Sequence, residues 1–271
     1  MVTISWLTDI HLNFLPASQI DIFCEKINVL NYDLVVITGD IAEAPTIELY
    51  LKRMEKAIQV PIYFVLGNHD FYHGSIAKVR EKISLISHPG LQYLSLGEVV
   101  ELTPDIALVG HDGWGDARYG NYSNSTIMLN DYVLIDELKG LSKKARGQKL
   151  NEFGGYVAEY ISDVVPKALS KYNHLVFATH VPMFREACWH QGKISDENWL
   201  PHFSCKVAGD ALKDIMAAHP DKTMTVLCGH THSSGYAKIL LNLEVLTGDS
   251  DYGKPVIRCL QIKKGLIGKL V

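Results

Sequence analysis

The residues with the clearest chemical potential form one short stretch, Gly67-Asn68-His69-Asp70, which follows the apolar run Ile62 to Leu66. An amide oxygen, an imidazole and a carboxylate in succession can bind a metal ion, carry a proton near neutral pH and orient the carrier. A strand that runs into a glycine turn presents such side chains at a sheet edge, where α/β folds usually bind ligands. Four residues alone are weak evidence, so the side chains that follow the other apolar runs decide the matter.

Similar side chains follow four further apolar runs. They are Asp9 with His11, Asp40, His180, and His230 with His232. Side chains at positions i and i+2 point the same way in an extended chain, so each close pair can hold one ion. Carboxylate, imidazole and amide ligands without a thiolate favour Mn, Fe, Zn or Co over a cysteine–zinc, magnesium or calcium site. Together with Asn68 these residues offer seven ligand groups, which are too many for one tetrahedral ion. Two ions that share a bridging carboxylate account for all seven.

The first part of the chain alternates strands and helices. We predict strands at Val2 to Leu7, Leu34 to Ile37 and Ile62 to Leu66. Helical spacing of apolar residues predicts helices from Pro16 to about Leu30, from Ile47 to Ile58 with Thr46 as N-cap, and from Ser75 to Ser87. This alternation indicates an α/β protein with a largely parallel sheet.

The later part of the chain mixes short strands with long irregular segments. Predicted strands lie at Leu91 to Leu96, Val99 to Leu102, Ile106 to Val109, Leu175 to Ala178 and Met224 to Cys228, with several more between Gly235 and Ile262. Predicted helices lie at Asp131 to Leu141, Tyr156 to Leu169 and Ala208 to Ala218. We expect one domain over residues 1–271, with long loop insertions at about 111–155 and 181–206.

Composition excludes several classes of protein. The 271 residues are 47% hydrophobic and carry a formal net charge of −4, so we expect no basic face for long nucleic acid. The N-terminus has no basic segment followed by an apolar core, and no apolar stretch is long enough to cross a bilayer. The five cysteines are widely spaced without a CxxC pair, which favours reduced thiols. We therefore expect a cytoplasmic protein without membrane segments.

Taken in order, the blocks Asp9-x-His11, Gly39-Asp40, Gly67-Asn68-His69-Asp70, His180 and Gly229-His230-x-His232 resemble the five motifs of the calcineurin-like metallophosphoesterases. The resemblance implies a four-layer α/β/β/α sandwich of two mixed sheets flanked by helices, with a dinuclear metal site at strand ends. It implies the following roles: Asp9, His11 and His232 hold one metal, Asn68, His180 and His230 hold the other, Asp40 bridges them, His69 lies near the leaving group, and Asp70 holds the ring of His69.

The same resemblance implies a metal-dependent phosphoesterase in which a metal-bridging hydroxide attacks a small-molecule or nucleotide phosphodiester or monoester. Two departures from the motifs of other branches of this family narrow the choice of branch. No Arg-Gly follows Gly39-Asp40, unlike in protein Ser/Thr phosphatases, and Glu43 stands where purple acid phosphatases carry a metal-binding tyrosine. A small stand-alone esterase remains. The alternative is a binding or scaffold protein of the same fold that has lost catalysis.

Substrate contacts are less clear from the sequence. Trp114, Arg118, Arg185 and His190 lie in the two long loops and are candidates, since aromatic rings can stack on a substrate and arginine can clamp a phosphate dianion. The alternative is that these side chains pack the loops themselves. The pair His111-Asp112 also ends a strand, and it either lines the pocket or forms only a turn.

Overall fold

The computed structural model describes residues 1–263 and 266–268. It contains two six-stranded sheets and a small two-stranded one. The strands are β1 Val2–Leu7, β2 Leu34–Thr38, β3 Ile62–Val65, β4 Leu91–Tyr93, β5 Val100–Thr103, β6 Ile106–His111, β7 His174–Thr179, β8 Trp189–His190, β9 Lys193–Ile194, β10 Thr223–Cys228, β11 Gly235–Leu240, β12 Leu243–Thr247, β13 Arg258–Lys263 and β14 Leu266–Gly268. The helices are α1 Ala17–Val29, α2 Ile47–Ala57, α3 Ile76–Ser84, α4 Asp131–Leu134, α5 Lys143–Leu169, α6 Leu200–Phe203 and α7 Lys206–Ala218.

The two large sheets are mostly parallel in their centres and antiparallel at their edges. The first has the order β14-β13-β1-β2-β3-β4, with β1 to β4 parallel and β13 antiparallel to β1. The second has the order β11-β12-β10-β7-β6-β5, with parallel pairing from β12 to β6. The carboxyl ends of the central strands of each sheet therefore meet at one edge.

Three apolar cores separate four layers. Residues alternate along β2, so that Val35 and Ile37 pack toward α1 and α2 while Leu34 and Val36 pack toward the second sheet. The core between the sheets joins side chains such as Trp6 and Val36 to side chains of the other sheet such as Val176. The third core lies between the second sheet and helices α5 and α7. This arrangement confirms the predicted α/β/β/α sandwich of two mixed sheets.

The helix α5 differs from the sequence prediction. It begins at Lys143, so the segment 143–155 is helical and the first predicted loop insertion ends earlier than residue 155. The side chain of Ser142 caps the helix by accepting a hydrogen bond from the amide of Ala145. Three glycines mask the helical pattern, and Gly154 is buried where an added Cβ would lie 2.5 Å from the Cβ of Asp116.

The predicted helix from Asp131 to Leu141 is also wrong beyond its first turn. Only α4 is helical, and Ile135 adopts extended backbone. The amide of Asp136 donates to the carbonyl of Gly74, and Ile135 forms a bridge with Gly74. Pairing with a distant segment therefore replaces the helical hydrogen bonds.

Within the described residues, no helix has both the length and the apolar character needed to cross a membrane.

Candidate metal centre

All seven predicted metal ligands follow the carboxyl ends of strands at the common edge of the two sheets. The first sheet contributes Asp9 and His11 after β1, Asp40 after β2 and Asn68 after β3, and the second contributes His180 after β7 and His230 and His232 after β10. Five of these residues are buried, whereas His230 is partly exposed and His232 retains a side-chain exposure of 25%. The sandwich thus brings ligands from both sheets into one site.

The first group of ligands contains Asp9, His11, Asp40 and His232. One ligand atom from each of these residues lies within 4.8 Å of the others. The Nε2 atoms of His11 and His232 are 3.4 Å apart, and Nε2 of His232 is 3.4 Å from Oδ1 of Asp9. Since a metal–nitrogen bond of 2.0–2.1 Å places adjacent ligand atoms about 3.0–3.4 Å apart, these spacings suit one metal ion.

The second group contains Asn68, His180 and His230. Oδ1 of Asn68 lies 3.0 Å from Nε2 of His180 and 2.9 Å from Nδ1 of His230, and the two nitrogens are 3.2 Å apart. Nδ1 of His180 donates to the carbonyl of Thr38 at 2.8 Å, so Nε2 presents its lone pair to the group. Three electron-pair donors that converge in this way fit a second metal ion.

Asp40 lies between the two groups. Its Oδ1 is 3.4 Å from Nε2 of His180, and its Oδ2 is 3.8 Å from Nε2 of His11. Burial, together with the charges of Asp9 and Asp70, raises the pKa of Asp40 well above its usual value. A buried carboxylate with one oxygen toward each group is suited to bridge two cations.

The protonation states of Asp9, His11 and His230 suit metal binding. Burial lowers the pKa of His11 to about 3 and that of His230 to about 3, which leaves both imidazoles neutral at pH 7. Burial alone would raise the pKa of Asp9, but a hydrogen bond from His232 and the surrounding imidazoles hold it below its usual value. Neutral imidazole and ionised carboxylate are the forms that ligate metals.

The backbone at the site is held in a left-handed conformation that L-residues rarely adopt. Five of the predicted ligands have a positive φ: Asp9 49°, His11 40°, Asp40 53°, His230 71° and His232 55°. Such conformations cost on the order of 1–3 kcal/mol each and concentrate at functional sites. Glycine is required beside them, since a Cβ on Gly67 would lie 2.1 Å from Oδ1 of Asp40.

His69 lies at the edge of the cluster with a side-chain exposure of 16%. Its Nε2 is 3.9 Å from Oδ2 of Asp40, and its ring packs on Tyr72 with a centroid distance of 4.2 Å. Burial and the neighbouring imidazoles lower the pKa of His69 to about 2, which leaves its ring neutral at pH 7.

Asp70 does not hold the ring of His69, and that part of the sequence prediction is wrong. Its Oδ1 accepts from the amides of Ile41 and Ala42, both at 2.8 Å, and its Oδ2 accepts from the amide of Gly67 at 2.8 Å. Asp70 therefore fastens the turn after β3 to the turn after β2. Burial nevertheless raises its pKa to about 7.

A cavity of about 300 Å³ opens over the two ligand groups. Of the four predicted substrate contacts, only His190 is among the residues that line it. Trp114 is 5% exposed and packs in the core between Phe71 and Phe153, so it has a packing role, as the alternative to substrate contact had it.

The two loop arginines also have partners of their own. Arg118 contacts the carboxylate of Asp116 at 3.2 Å, and Arg185 pairs with Glu197. Neither arginine lines the cavity.

The pair His111-Asp112 has a structural role. Asp112 is 1% exposed, and its oxygens accept from the amide of Leu66 and from the side chains of Arg80, Tyr93 and Ser95. It links the end of β3 to the end of β6 beneath the site.

Sequence reasoning missed several residues of the cavity wall. They are Tyr72, Leu129, Asn130, Asp131, Thr231 and Tyr252. Oδ1 of Asp131 accepts from Nδ2 of Asn68 at 2.9 Å and from the hydroxyl of Tyr72 at 2.7 Å. Nothing local in the sequence marks Asp131, because its partners lie 63 and 59 residues away.

Comparison with known proteins places this site in context. A family model described as calcineurin-like phosphoesterase matches residues 2–234. An uncharacterized metallophosphoesterase of Campylobacter jejuni is 30% identical over 115 residues, which cover 41% of this chain and 28% of that protein. The chain thus matches less than a third of the length of this relative.

Two solved structures are similar in fold. The phosphopantetheinyl hydrolase of Mycobacterium tuberculosis superposes with a TM-score of 0.66 at 13% identity, over 93% of this chain and 90% of that one. A dimetal phosphatase of Danio rerio gives a TM-score of 0.59 at 11% identity, over 97% and 93% of the two chains. At these identities the likeness concerns the fold.

Proposed function

Because this chain belongs to the calcineurin-like phosphoesterase family, we propose that it hydrolyses a phosphate ester with the help of two divalent metal ions. The observation that carries the proposal is the pair of ligand groups joined by Asp40. Asp9, His11 and His232 would hold one ion, and Asn68, His180 and His230 the other. The spacings of 2.9–3.4 Å between their ligand atoms support this assignment.

Bound divalent ions would supply an acidified water as the nucleophile and would neutralise charge on the phosphoryl oxygens. The donor set of carboxylate, imidazole and amide supports Mn, Fe, Zn or Co at these positions. The carboxylate of Asp40 faces both groups, which supports a shared role for it.

His69 is the residue that we assign to the leaving group. Its ring is held against Tyr72 and borders the cavity, and its neutral imidazole carries one N–H. That N–H donates a hydrogen bond to the oxygen that departs from phosphorus, and the proton that this oxygen finally takes comes from water. Removal of one preorganised hydrogen-bond donor of this kind typically costs about 10²–10³-fold in kcat.

The size of the site supports a small substrate. A cavity of about 300 Å³ lies at the lower end of the range for small-molecule sites, so a small-molecule or nucleotide ester is the proposed substrate. A cytoplasmic location is part of the proposal, and five unpaired cysteines, four of them buried, support it.

The test uses a chromogenic phosphomonoester and the matching diester with Mn²⁺-loaded protein. The wild type should turn over at least one of them, and His69→Ala should lose about 10²–10³-fold in kcat while binding the same number of metal ions. His88→Ala is the matched control, because His88 is an exposed histidine that pairs with Glu55 away from the cavity.

Two results would contradict the proposal. Failure of the wild type to hydrolyse either ester with both metals bound would favour the scaffold alternative. Equal turnover by the His69→Ala protein and the wild type would remove His69 from the mechanism.

A further inference from the structure

The cavity has an aromatic wall on the side of the second ligand group. This wall, which we call the Trp199 wall, consists of His190, Trp199 and Phe203. The rings of Trp199 and Phe203 stack with a centroid distance of 4.9 Å and an interplanar angle of 25°, and His190 lies 5.1 Å from Trp199. Phe203 meets the ring of the predicted ligand His230 edge-on at 5.0 Å. The wall therefore begins at the metal ligands and extends along the cavity.

A second aromatic surface lies on the side of the first ligand group. Tyr252 lies 4.5 Å from the ring of His11 and 5.1 Å from that of His232, and Phe14 lies 5.0 Å from Tyr252. Tyr252 is 50% exposed and Phe14 53% exposed. Large aromatic rings at this exposure are available for contact with a ligand.

The charge of the cavity is unusual for a phosphate site. None of the described residues that line it is lysine or arginine, and its acidic members are Asp40 and Asp131. The two loop arginines that could have clamped a phosphate are paired elsewhere, Arg118 with Asp116 and Arg185 with Glu197. A monoester dianion would therefore find no lysine or arginine of the lining for its second charge, whereas a diester carries a single charge and two organic groups.

We propose that the substrate is a phosphodiester with a planar or aromatic group that stacks on the Trp199 wall, a specificity that rests on the function proposed above. In the reaction, water adds to phosphorus and the bond from phosphorus to the leaving oxygen breaks. The departing alcohol takes one proton of that water. The products are this alcohol and a phosphomonoester, and no other reactant is needed.

The test compares three substrates that release the same chromophore. Bis(4-nitrophenyl) phosphate and methyl 4-nitrophenyl phosphate are both diesters, and they differ in whether the group that stays on phosphorus is aromatic. The third, 4-nitrophenyl phosphate, is the monoester. Rates with Mn²⁺-loaded protein are divided by the uncatalysed rates, so that intrinsic reactivity does not enter the comparison.

We expect both diesters to exceed the monoester in kcat/KM, and the aryl diester to exceed the methyl diester by about tenfold, since ring stacking contributes on this scale. Trp199→Ala should remove the advantage of the aryl diester, mainly through KM, and leave the methyl diester within about twofold. Trp199→Phe should keep most of the advantage. Tyr156→Ala is the control, because Tyr156 is an aromatic residue of α5, 50% exposed, that does not line the cavity.

The outcomes separate this inference from the proposed function. No hydrolysis of any of the three esters by the metal-loaded wild type contradicts both. A preference for the monoester, or an equal loss on both diesters in Trp199→Ala, contradicts the inference alone. If Trp199→Ala does not fold by circular dichroism, His190→Ala makes the same comparison on the same wall, because His190 lines the cavity 5.1 Å from Trp199, and there too an equal loss on both diesters counts against the inference.

Discussion

Asp131 should control the metal affinity of the site without being a ligand itself. It is 4% exposed, and its Oδ1 accepts from Nδ2 of Asn68 at 2.9 Å and from the hydroxyl of Tyr72 at 2.7 Å. These contacts fix which way the amide of Asn68 faces, and so direct Oδ1 of Asn68 toward His180 and His230. Asp131 is thus a positioning residue.

The substitution Asp131→Asn isolates this role because it keeps the shape and removes the charge. A hydrogen bond to a charged acceptor contributes about 1.5–3 kcal/mol, and one between neutral groups about 0.5–1.5 kcal/mol. The difference of about 1–1.5 kcal/mol corresponds to a loss of roughly tenfold in affinity. This agrees with the 10–100-fold that substitution of groups behind metal ligands typically costs.

The assay is equilibrium dialysis of the metal-free protein against Mn²⁺, with activity followed over the same concentrations. Asp131→Asn should weaken one of the two binding steps by about tenfold, and saturating Mn²⁺ should restore kcat to within about threefold of the wild type. Asp136→Asn is the matched control, since Asp136 is exposed on the same segment. Unchanged affinity for both ions in Asp131→Asn would refute the assignment of Asn68 as a ligand positioned by Asp131.

Two further predictions concern stability. Gly155→Ala should raise the melting temperature by about 2–4 °C, because a Cβ there meets nothing within 4 Å and helix propensity improves by about 1 kcal/mol. Gly154→Ala should lower it, because its Cβ would lie 2.5 Å from the Cβ of Asp116, and a rise in thermal unfolding experiments would contradict the packing of α5. His174 is 1% exposed, and burial lowers its pKa from 6.5 to about 4, so the unfolded chain binds its proton first as the pH falls. The unfolding free energy of the wild type should therefore drop by up to about 3 kcal/mol more than that of His174→Gln between pH 6.5 and 4, and parallel denaturant curves for the two proteins would rule this out.

The parts of the molecule that the sequence predicted are those set by local patterns. Strands β1 to β3 and the candidate ligand residues that follow their carboxyl ends could be predicted, because apolar, β-branched runs end abruptly in polar groups. The fold followed from the order of these blocks and their resemblance to a known family. Which of these side chains face one another depends on the docking of two sheets, which brings Oδ1 of Asn68 within 3.0 Å of His180 and 2.9 Å of His230. That these three residues hold one ion stays a prediction.

The remainder depends on contacts between distant segments. Asp70 was expected to hold the ring of His69, but its carboxylate instead accepts hydrogen bonds from three backbone amides. These amides need an acceptor because they are buried. The first half of α5 was not predicted because Gly154 and Gly155 lower the helix propensity of this segment. The glycine at position 154 is explained only by the close approach of Asp116, which leaves no room for a Cβ. The aromatic surfaces of the cavity come from loops whose patterns predict neither helix nor strand.

The division of the ligands between the two sheets has a consequence for the lifetime of the protein. Each ligand group draws on both sheets, as His11 and His232 do in the first and Asn68 and His230 in the second. A separated half cannot complete either site, so the free energy of metal binding adds to that of sheet docking. At a free metal concentration one hundred times the dissociation constant, this linkage amounts to about 2.7 kcal/mol for each ion. If the two ions bind as proposed, the supply of metal in the surroundings would therefore affect not only the activity of the protein but also the stability of the contact between its two sheets.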